Sequence, residues 1–343
     1  MKMLKGGPIG AVGTVRSFMN VVKDIDFEET RNKAEQVPKI LVLASDTELV
    51  QKAADLLFGE DDRNGVVARA WADAEQDFDP TRYDVVIVYD PNGTGLFDTV
   101  RLATASRRET SNVFFLSANL NKGADPIRDV RFEILEMLPD MGPSFGRYHP
   151  LWRKAAVNAI IDQTSRANAQ FALVSNIPAV IPVLGGFISA GADLIVLTKN
   201  QVMMSYKIAA AHGEDLENQF AIVRELTPVV GAGFLWRTAA REAASFIPFA
   251  AGTIPKVVIA YAGTLTLGKA ADFYYEYGSK PSREQLHRLR MQAMDLAAKV
   301  PAVKDLIDHE DAKDILEGED TSLTRPAVAE TATIEIEPED SNE

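Results

Sequence analysis

Between Pro38 and Asp140 the chain alternates short apolar runs with stretches of helical spacing. Lys39-Ile-Leu-Val-Leu-Ala44 is a continuous apolar run of the kind that makes a buried parallel strand. Thr47 to Phe58 then places Leu49, Val50, Ala53, Ala54 and Leu57 on one helical face. Gly65 to Ala70 reads as a second strand. Tyr83-Asp-Val-Val-Ile-Val-Tyr89 is the clearest strand, β-branched and closed by the turn signal Asp90-Pro-Asn-Gly93. Leu96 to Ser106 is helical, Asn112 to Leu116 is a strand, and Pro126 to Leu138 is a helix with proline at its permitted start. This alternation predicts a parallel sheet with helices packed on it.

The flanking segments read differently. Ile9 to Glu35 predicts a helical lead-in over 1–37, with Val12, Val15, Met19 and Val22 near a 3.6-residue period. From Tyr148 the pattern changes to long helices rich in Ala, Gly and Val, broken by Pro178, Pro182, Pro228, Pro248 and Pro255. Ser282 to Val300 predicts an amphipathic helix. The expected organisation is a lead-in (1–37), an α/β domain (38–140), an all-α domain (148–280), a helical extension (281–315) and a disordered acidic tail (316–343).

Charge sharpens that division. From Glu317 to Glu343 there are nine acidic residues and one Arg, so −8 of the net charge of −13 sits in the tail. An acidic chain argues against nucleic acid as a partner, because phosphate contacts need clustered Lys and Arg. The chain has no cysteine, which excludes disulfides, thiolate nucleophiles and cysteine-based zinc sites. Its four His residues show no metal-ligand spacing, so no metal is expected. No Ser–His–Asp or paired-carboxylate arrangement stands out. His149, beside Pro150 and Trp152, reads as a packing corner.

Three motifs in the helical part carry a resemblance: Gly191 to Gly213, Val230-Gly-Ala-Gly-Phe-Leu-Trp-Arg237, and Pro255-Lys-Val-Val-Ile-Ala-Tyr-Ala-Gly-Thr264. In this order, over roughly Tyr148 to Gly278, they resemble the domain of unknown function that follows Era-like GTPase domains in bacteria. YcjF-type inner-membrane proteins carry a relative of it. The resemblance implies that 38–140 corresponds to a G domain. It also singles out Asp193, Lys199, Asn200, Gln201, Arg237 and Lys256 as motif residues of unknown role. For Asp193, Lys199, Asn200 and Gln201 a structural role is expected, pairing across helices with Arg237 or Arg241 or satisfying the helix ends broken by proline; the alternative is a ligand or ion site.

A G domain needs a glycine-rich loop after its first strand, so that backbone N–H groups, a lysine and a hydroxyl can hold phosphate and magnesium. Here that strand is followed by Ala44-Ser-Asp-Thr-Glu-Leu-Val-Gln-Lys52, which has no glycine and places Asp46 and Glu48 where an anion should bind. Lys52 falls in the helix. Asn121-Lys-Gly-Ala-Asp125 resembles the base-reading N-K-x-D with one residue too many, and Phe115-Leu-Ser-Ala118 resembles the loop that closes the base pocket. The expectation is a degenerate, nucleotide-free G-like domain with no cofactor. The segment also resembles a receiver domain, with Asp46, Asp90 and Ser117 ending strands. It lacks the acidic pair at strand one and a late strand ending in Lys.

Ala167 to Ala192 contains no charged residue, yet Pro178, Pro182, Gly185 and Gly186 divide it and Asn168, Gln170, Ser175 and Asn176 interrupt its first half. Ala243 to Gly268 is split by Lys256, a cost of about 2.5–3.5 kcal/mol for a charge at the centre of a membrane helix. Ala260, Thr264 and Gly268 form a small-x-x-x-small ridge suited to close helix packing. Phe273, Tyr274, Tyr275 and Tyr277 cluster as interfacial aromatics do. Hydropathy alone does not decide, and with the resemblance to membrane proteins the expectation is a non-enzymatic, membrane-associated scaffold or regulatory partner at the cytoplasmic face of the inner or plasma membrane. Its expected partners are a protein (a GTPase by the resemblance), membrane lipid, and a second copy of the chain. The alternatives are a diverged GTP-binding protein and a soluble, self-assembling cytoplasmic protein.

Overall fold

The computed structural model describes residues 21–60, 63–105, 112–174, 190–225 and 253–299. The chain forms an α/β N-terminal region with a parallel sheet, followed by a mostly helical remainder. It divides into two compact units. One holds residues 28–160 together with 207–216, and the other holds the remainder.

The α/β unit begins with helix α1 (Glu28–Glu35) and strand β1 (Ile40–Ala44), then α2 (Thr47–Phe58) and β2 (Val66–Ala70). A short α3 (Trp71–Ala74), β3 (Val85–Tyr89), α4 (Leu96–Thr104) and β4 (Val113–Leu116) follow. Helices α5 (Ala124–Met137) and α6 (Gly142–Tyr148) come next. The sheet has the order β2-β1-β3-β4, and all its pairings are parallel.

Why these runs become strands is visible in their burial. Every residue of β1 and β3 is enclosed, as expected for central strands covered on both faces. Successive side chains point to opposite faces of a strand. Ile40, Val42, Ala44, Val85, Ile87 and Tyr89 therefore join Val50, Leu57, Ile134 and Trp152 in one core. Leu41, Leu43, Val86 and Val88 join Ala74, Leu96 and Val100 in a second core.

Polar groups pin the edges of this unit. The Lys39 N–H donates to Asp84 Oδ2 (2.8 Å), aligning the starts of β1 and β3. At the far end of α2, Gly59 takes a left-handed φ of +87° and the chain turns out of the helix. There the Leu57 carbonyl accepts from Arg131 Nη2 (2.8 Å), Arg131 Nε (3.1 Å) and Trp152 Nε1 (2.8 Å). Burial pushes the Arg131 guanidinium down to about 10, so it stays cationic at neutral pH beside the negative end of the helix.

The helical part contains α7 (Arg153–Val174), α8 (Ala190–His212), α9 (Thr253–Tyr277) and α10 (Arg283–Lys299). The first residues of α7 and the last of α8 count with the α/β unit, and the rest of both helices counts with the helical unit. Between residues 257 and 273 no side chain of α9 is exposed, because its apolar residues run around the whole helix. Helix α10 buries one stripe, Gln285, Leu289, Ala293 and Ala297, as an amphipathic helix should. A capping box starts it: Gln285 N–H donates to Ser282 Oγ (3.2 Å), and Ser282 N–H donates to Gln285 Oε1 (2.7 Å).

The helical lead-in expected over 1–37 is described from residue 21 onward, where it is interrupted once. Residues 1–20 lie outside the described residues, and the helix ends before Ile25 to restart as α1 at Glu28. Asp24 and Asp26 favour turns over helix interiors, and the intervening Phe27 is buried with its ring 4.7 Å from that of Tyr206. The expected disorder of the tail concerns positions outside the described residues.

Candidate functional site

In a doubly wound sheet, ligands bind at the carboxyl ends of the strands where the strand order reverses. With the order β2-β1-β3-β4 that point lies between β1 and β3. What ends these two strands is therefore decisive. Strand β1 stops at Ala44 and α2 starts at Thr47, so only Ser45 and Asp46 connect them. Asp46 is the N-cap of α2: its Oδ1 accepts from the Leu49 N–H (2.8 Å), and its Oδ2 accepts from Ser45 Oγ (3.0 Å). A carboxylate of the chain itself thus occupies the positive end of the helix, where a phosphate would sit.

The end of β3 is closed in a similar way. Asp90 is buried, and its Oδ1 accepts from the Thr94 N–H (2.9 Å) and Thr94 Oγ1 (3.1 Å). Its Oδ2 accepts from the Leu96 N–H at 3.2 Å. Both oxygens serve the turn that leads into α4, so Asp90 is committed to shaping its own loop. After β4, Asn121 and Lys122 lie exposed around a single 3-10 turn, and Asp125, in the first turn of α5, pairs with Arg128 at 3.0 Å. Lys52 is exposed on α2.

The second polar centre lies inside the helical unit. Thr264 on α9 is fully buried, and its hydroxyl donates to the Ala260 carbonyl one turn earlier (2.8 Å). The same oxygen accepts from Asn168 Nδ2 of α7 (2.9 Å) and from Gln201 Nε2 of α8 (3.1 Å). Asn200 Nδ2, also on α8, donates to Asn168 Oδ1 at 2.8 Å. A hydroxyl has one proton and two lone pairs, so Thr264 is saturated. Asn168 and Gln201 are likewise buried.

A second contact between the same helices is charged. Asp162 on α7 accepts from Arg166 Nε at 2.6 Å and from the Tyr261 hydroxyl of α9 at 3.1 Å. Burial first, and the Asp162 carboxylate second, push the Tyr261 phenol well above its usual range. Near it, Gly268 faces Ile161 so closely that a β-carbon there would lie 2.6 Å from Ile161 Cγ1.

Of the motif residues singled out in the sequence, Asn200 and Gln201 meet in this cluster, together with Ala260 and Thr264 of the small-residue ridge. Lys199 is half-buried beside them on α8. Asp193 and Lys256 have helical backbone, but their side chains lie outside the described residues, as do Arg237 and Arg241 entirely. The pairing across helices expected with those arginines therefore also falls outside them. His149 is buried in an aromatic group with Phe58 and Phe145, at ring distances of 5.2 and 5.7 Å.

Asn168 is the member that the sequence reading did not place. It stood out only as a polar interruption of a charge-free run, and its spacing from Thr264 carries no local signal. Among the described residues no helix is long and apolar enough to cross a membrane, and no group of acidic or histidine side chains could hold a metal ion. Comparison with protein-family models, with curated proteins and with solved structures finds no match for this chain.

Proposed function

We propose that this chain is a non-enzymatic scaffold or regulatory partner protein whose α/β unit is a nucleotide-free counterpart of a GTPase-like domain. The observation that carries this reading is Asp46. It caps α2 at the switch point of the sheet, across a connection of only two residues. A phosphate brought to that helix end would meet a carboxylate in place of free N–H groups. Two like charges 4 Å apart repel by about 4 kcal/mol at an effective dielectric of 20. The short connection also leaves no loop to wrap a triphosphate. With the nucleotide position filled, the unit's remaining asset is its surface, and the resemblance in the helical part suggests a protein partner, a GTPase among the candidates.

Isothermal titration of the full chain with magnesium and GTP, and separately ATP, is expected to give no binding up to millimolar nucleotide. A saturable micromolar site would overturn this reading in favour of a diverged GTP-binding protein.

The proposed membrane association is peripheral, since no side chain of α9 between residues 257 and 273 is exposed. Its support is the resemblance to YcjF-type proteins and the charge-poor run from Ala167 to Ala192. The full chain should float with liposomes of bacterial lipid composition and resist a high-salt wash. Recovery in the lipid-free fraction would favour the soluble, self-assembling alternative.

A further inference from the structure

We propose that Asn92, in the turn after β3, is a site of spontaneous covalent modification to aspartate and isoaspartate, and that the fold shields Asn64 from the same reaction. Both asparagines precede a glycine, and the sequence holds no other Asn–Gly pair. In the reaction the glycine backbone nitrogen attacks Cγ of the asparagine before it. A new N–Cγ bond forms, the Cγ–Nδ2 bond breaks, and ammonia leaves with the proton that the glycine nitrogen gives up. Water then opens the resulting succinimide at either carbonyl. One product is aspartate. The other is isoaspartate, whose main chain is longer by a methylene.

Attack needs a glycine without obstruction and a peptide plane that can turn. Gly93 meets both needs. Residues 92–95 are exposed, and a β-carbon at position 93 would meet nothing within 4 Å. Among the described residues, neither the Asn92 side-chain amide nor the Gly93 N–H makes a hydrogen bond. The bonds that hold this turn run around the pair, from the Thr94 and Leu96 N–H groups to Asp90.

Asn64 and Gly65 are exposed as well, so exposure does not separate the two pairs. Restraint does. The Val66 N–H donates to the Arg63 carbonyl across the turn (3.0 Å), and the Gly65 carbonyl accepts from the Ile40 N–H (2.9 Å) where β1 begins. A β-carbon at Gly65 would collide with the Pro38 carbonyl oxygen. Arg63 is itself anchored to Gln51 Oε1 (2.7 Å) and to Asp55. Turning the 64–65 peptide therefore disrupts the start of the β1–β2 pairing, whereas turning the 92–93 peptide costs neither residue a hydrogen bond.

Conversion at Asn92 places a new carboxylate close to Asp90, and isoaspartate lengthens the main chain inside the turn that Asp90 holds. The modified turn should release the Thr94 and Leu96 N–H groups and loosen the start of α4 at the switch point of the sheet. The inference goes beyond the proposed function and holds whether or not the chain binds a partner or a membrane.

The unsubstituted full chain serves for the test. It is incubated at mildly alkaline pH, native and in urea, and then digested with trypsin. Cleavage after Arg63, Arg69, Arg82 and Arg101 puts Asn64 and Asn92 on separate peptides. Mass spectrometry reads the exchange of amide for carboxylate, and chromatography separates isoaspartate from aspartate. In urea the two positions should convert at similar rates. In the native chain position 92 should convert at least about ten-fold faster than position 64, because a tenfold difference takes only about 1.4 kcal/mol of local opening cost. A native ratio no larger than the ratio in urea would overturn the proposal, as would a native chain that stays intact at 92. The converted fraction, isolated by anion exchange, should exchange the Thr94 and Leu96 amide hydrogens faster than the unconverted one. Equal exchange would overturn the link to the Asp90 turn.

Discussion

Tyr261 and Thr264 sit one turn apart on α9, and each ties it to α7 by a different chemistry. The Tyr261 phenol shares the Asp162 carboxylate with Arg166, and both burial and that carboxylate oppose its ionisation. In the unfolded chain a tyrosine releases its proton near pH 10. Above that pH the unfolded state therefore binds fewer protons than the native state, and stability falls as pH rises. The loss approaches about 1.4 kcal/mol per pH unit for as long as Tyr261 holds its proton in the native state. Tyr261→Phe, followed by urea unfolding between pH 8 and 11, should flatten the alkaline slope while weakening the protein near neutrality. An unaltered slope would show that other groups set it. Thr264 teaches a different lesson. The sequence marks it as a small residue on a ridge, which concerns its size, whereas its buried neighbours respond to its hydroxyl. Asn168 looks like a defect in an apolar run until the helix that answers it is in place.

At the level of elements, the strands and α2 were the most legible. Runs such as Ile40–Ala44 and Val85–Tyr89 have one stable environment, a sheet covered on both faces, so hydropathy alone identifies them. Helix α2 keeps the bounds Thr47–Phe58 read from its spacing, because Asp46 caps its start and Gly59 turns the chain at its end. The capping box of Ser282 and Gln285 was readable in the same way and sets the start of α10. Which helix touches which was not legible, since periodicity reports that a face is buried and not what buries it. The contact of α7 with α9 makes this testable. Gly268→Ala would place a β-carbon 2.6 Å from Ile161 Cγ1, so one side chain must move or the helices must part. Overpacking of this kind costs about 1–3 kcal/mol. Ile161→Ala alone should also destabilise by opening a cavity. The double variant should recover part of the sum, because Ile161→Ala vacates the space that the new β-carbon at 268 fills. Thermal melts of the four proteins measure that coupling, and strict additivity would mean that the two residues do not meet in solution.

For the whole molecule, the charge distribution and the fold make separate demands. The division into two units crosses α7 and α8, and the segment 207–216 returns to the α/β unit although its helix begins elsewhere. Composition could not announce that, because Ala209, Ala210 and Ala211 would suit either core. The acidic excess is easier to assign. Residues 317–343 carry −8 of the net −13, have no aromatic side chain, and hold few large apolar groups. A segment of this composition has little apolar area to bury against the entropy of ordering its backbone, about 1–2 kcal/mol per residue. Truncation after Leu316 should therefore leave the melting temperature within about 1 °C of the full chain, given that 1 kcal/mol shifts a domain of 150–250 residues by about 2–4 °C. The same truncation lowers the net charge from −13 to −5. Charge repulsion between copies keeps proteins apart, and it weakens as salt shortens the screening length to about 8 Å near 0.15 M. The truncated chain should consequently self-associate more at low ionic strength, and the difference from the full chain should shrink as salt is added. Light scattering across a salt series, run beside the melts, separates these effects. A melting temperature several degrees lower would show that the tail docks on the folded protein. Equal scattering at low salt would show that its charge does not govern association.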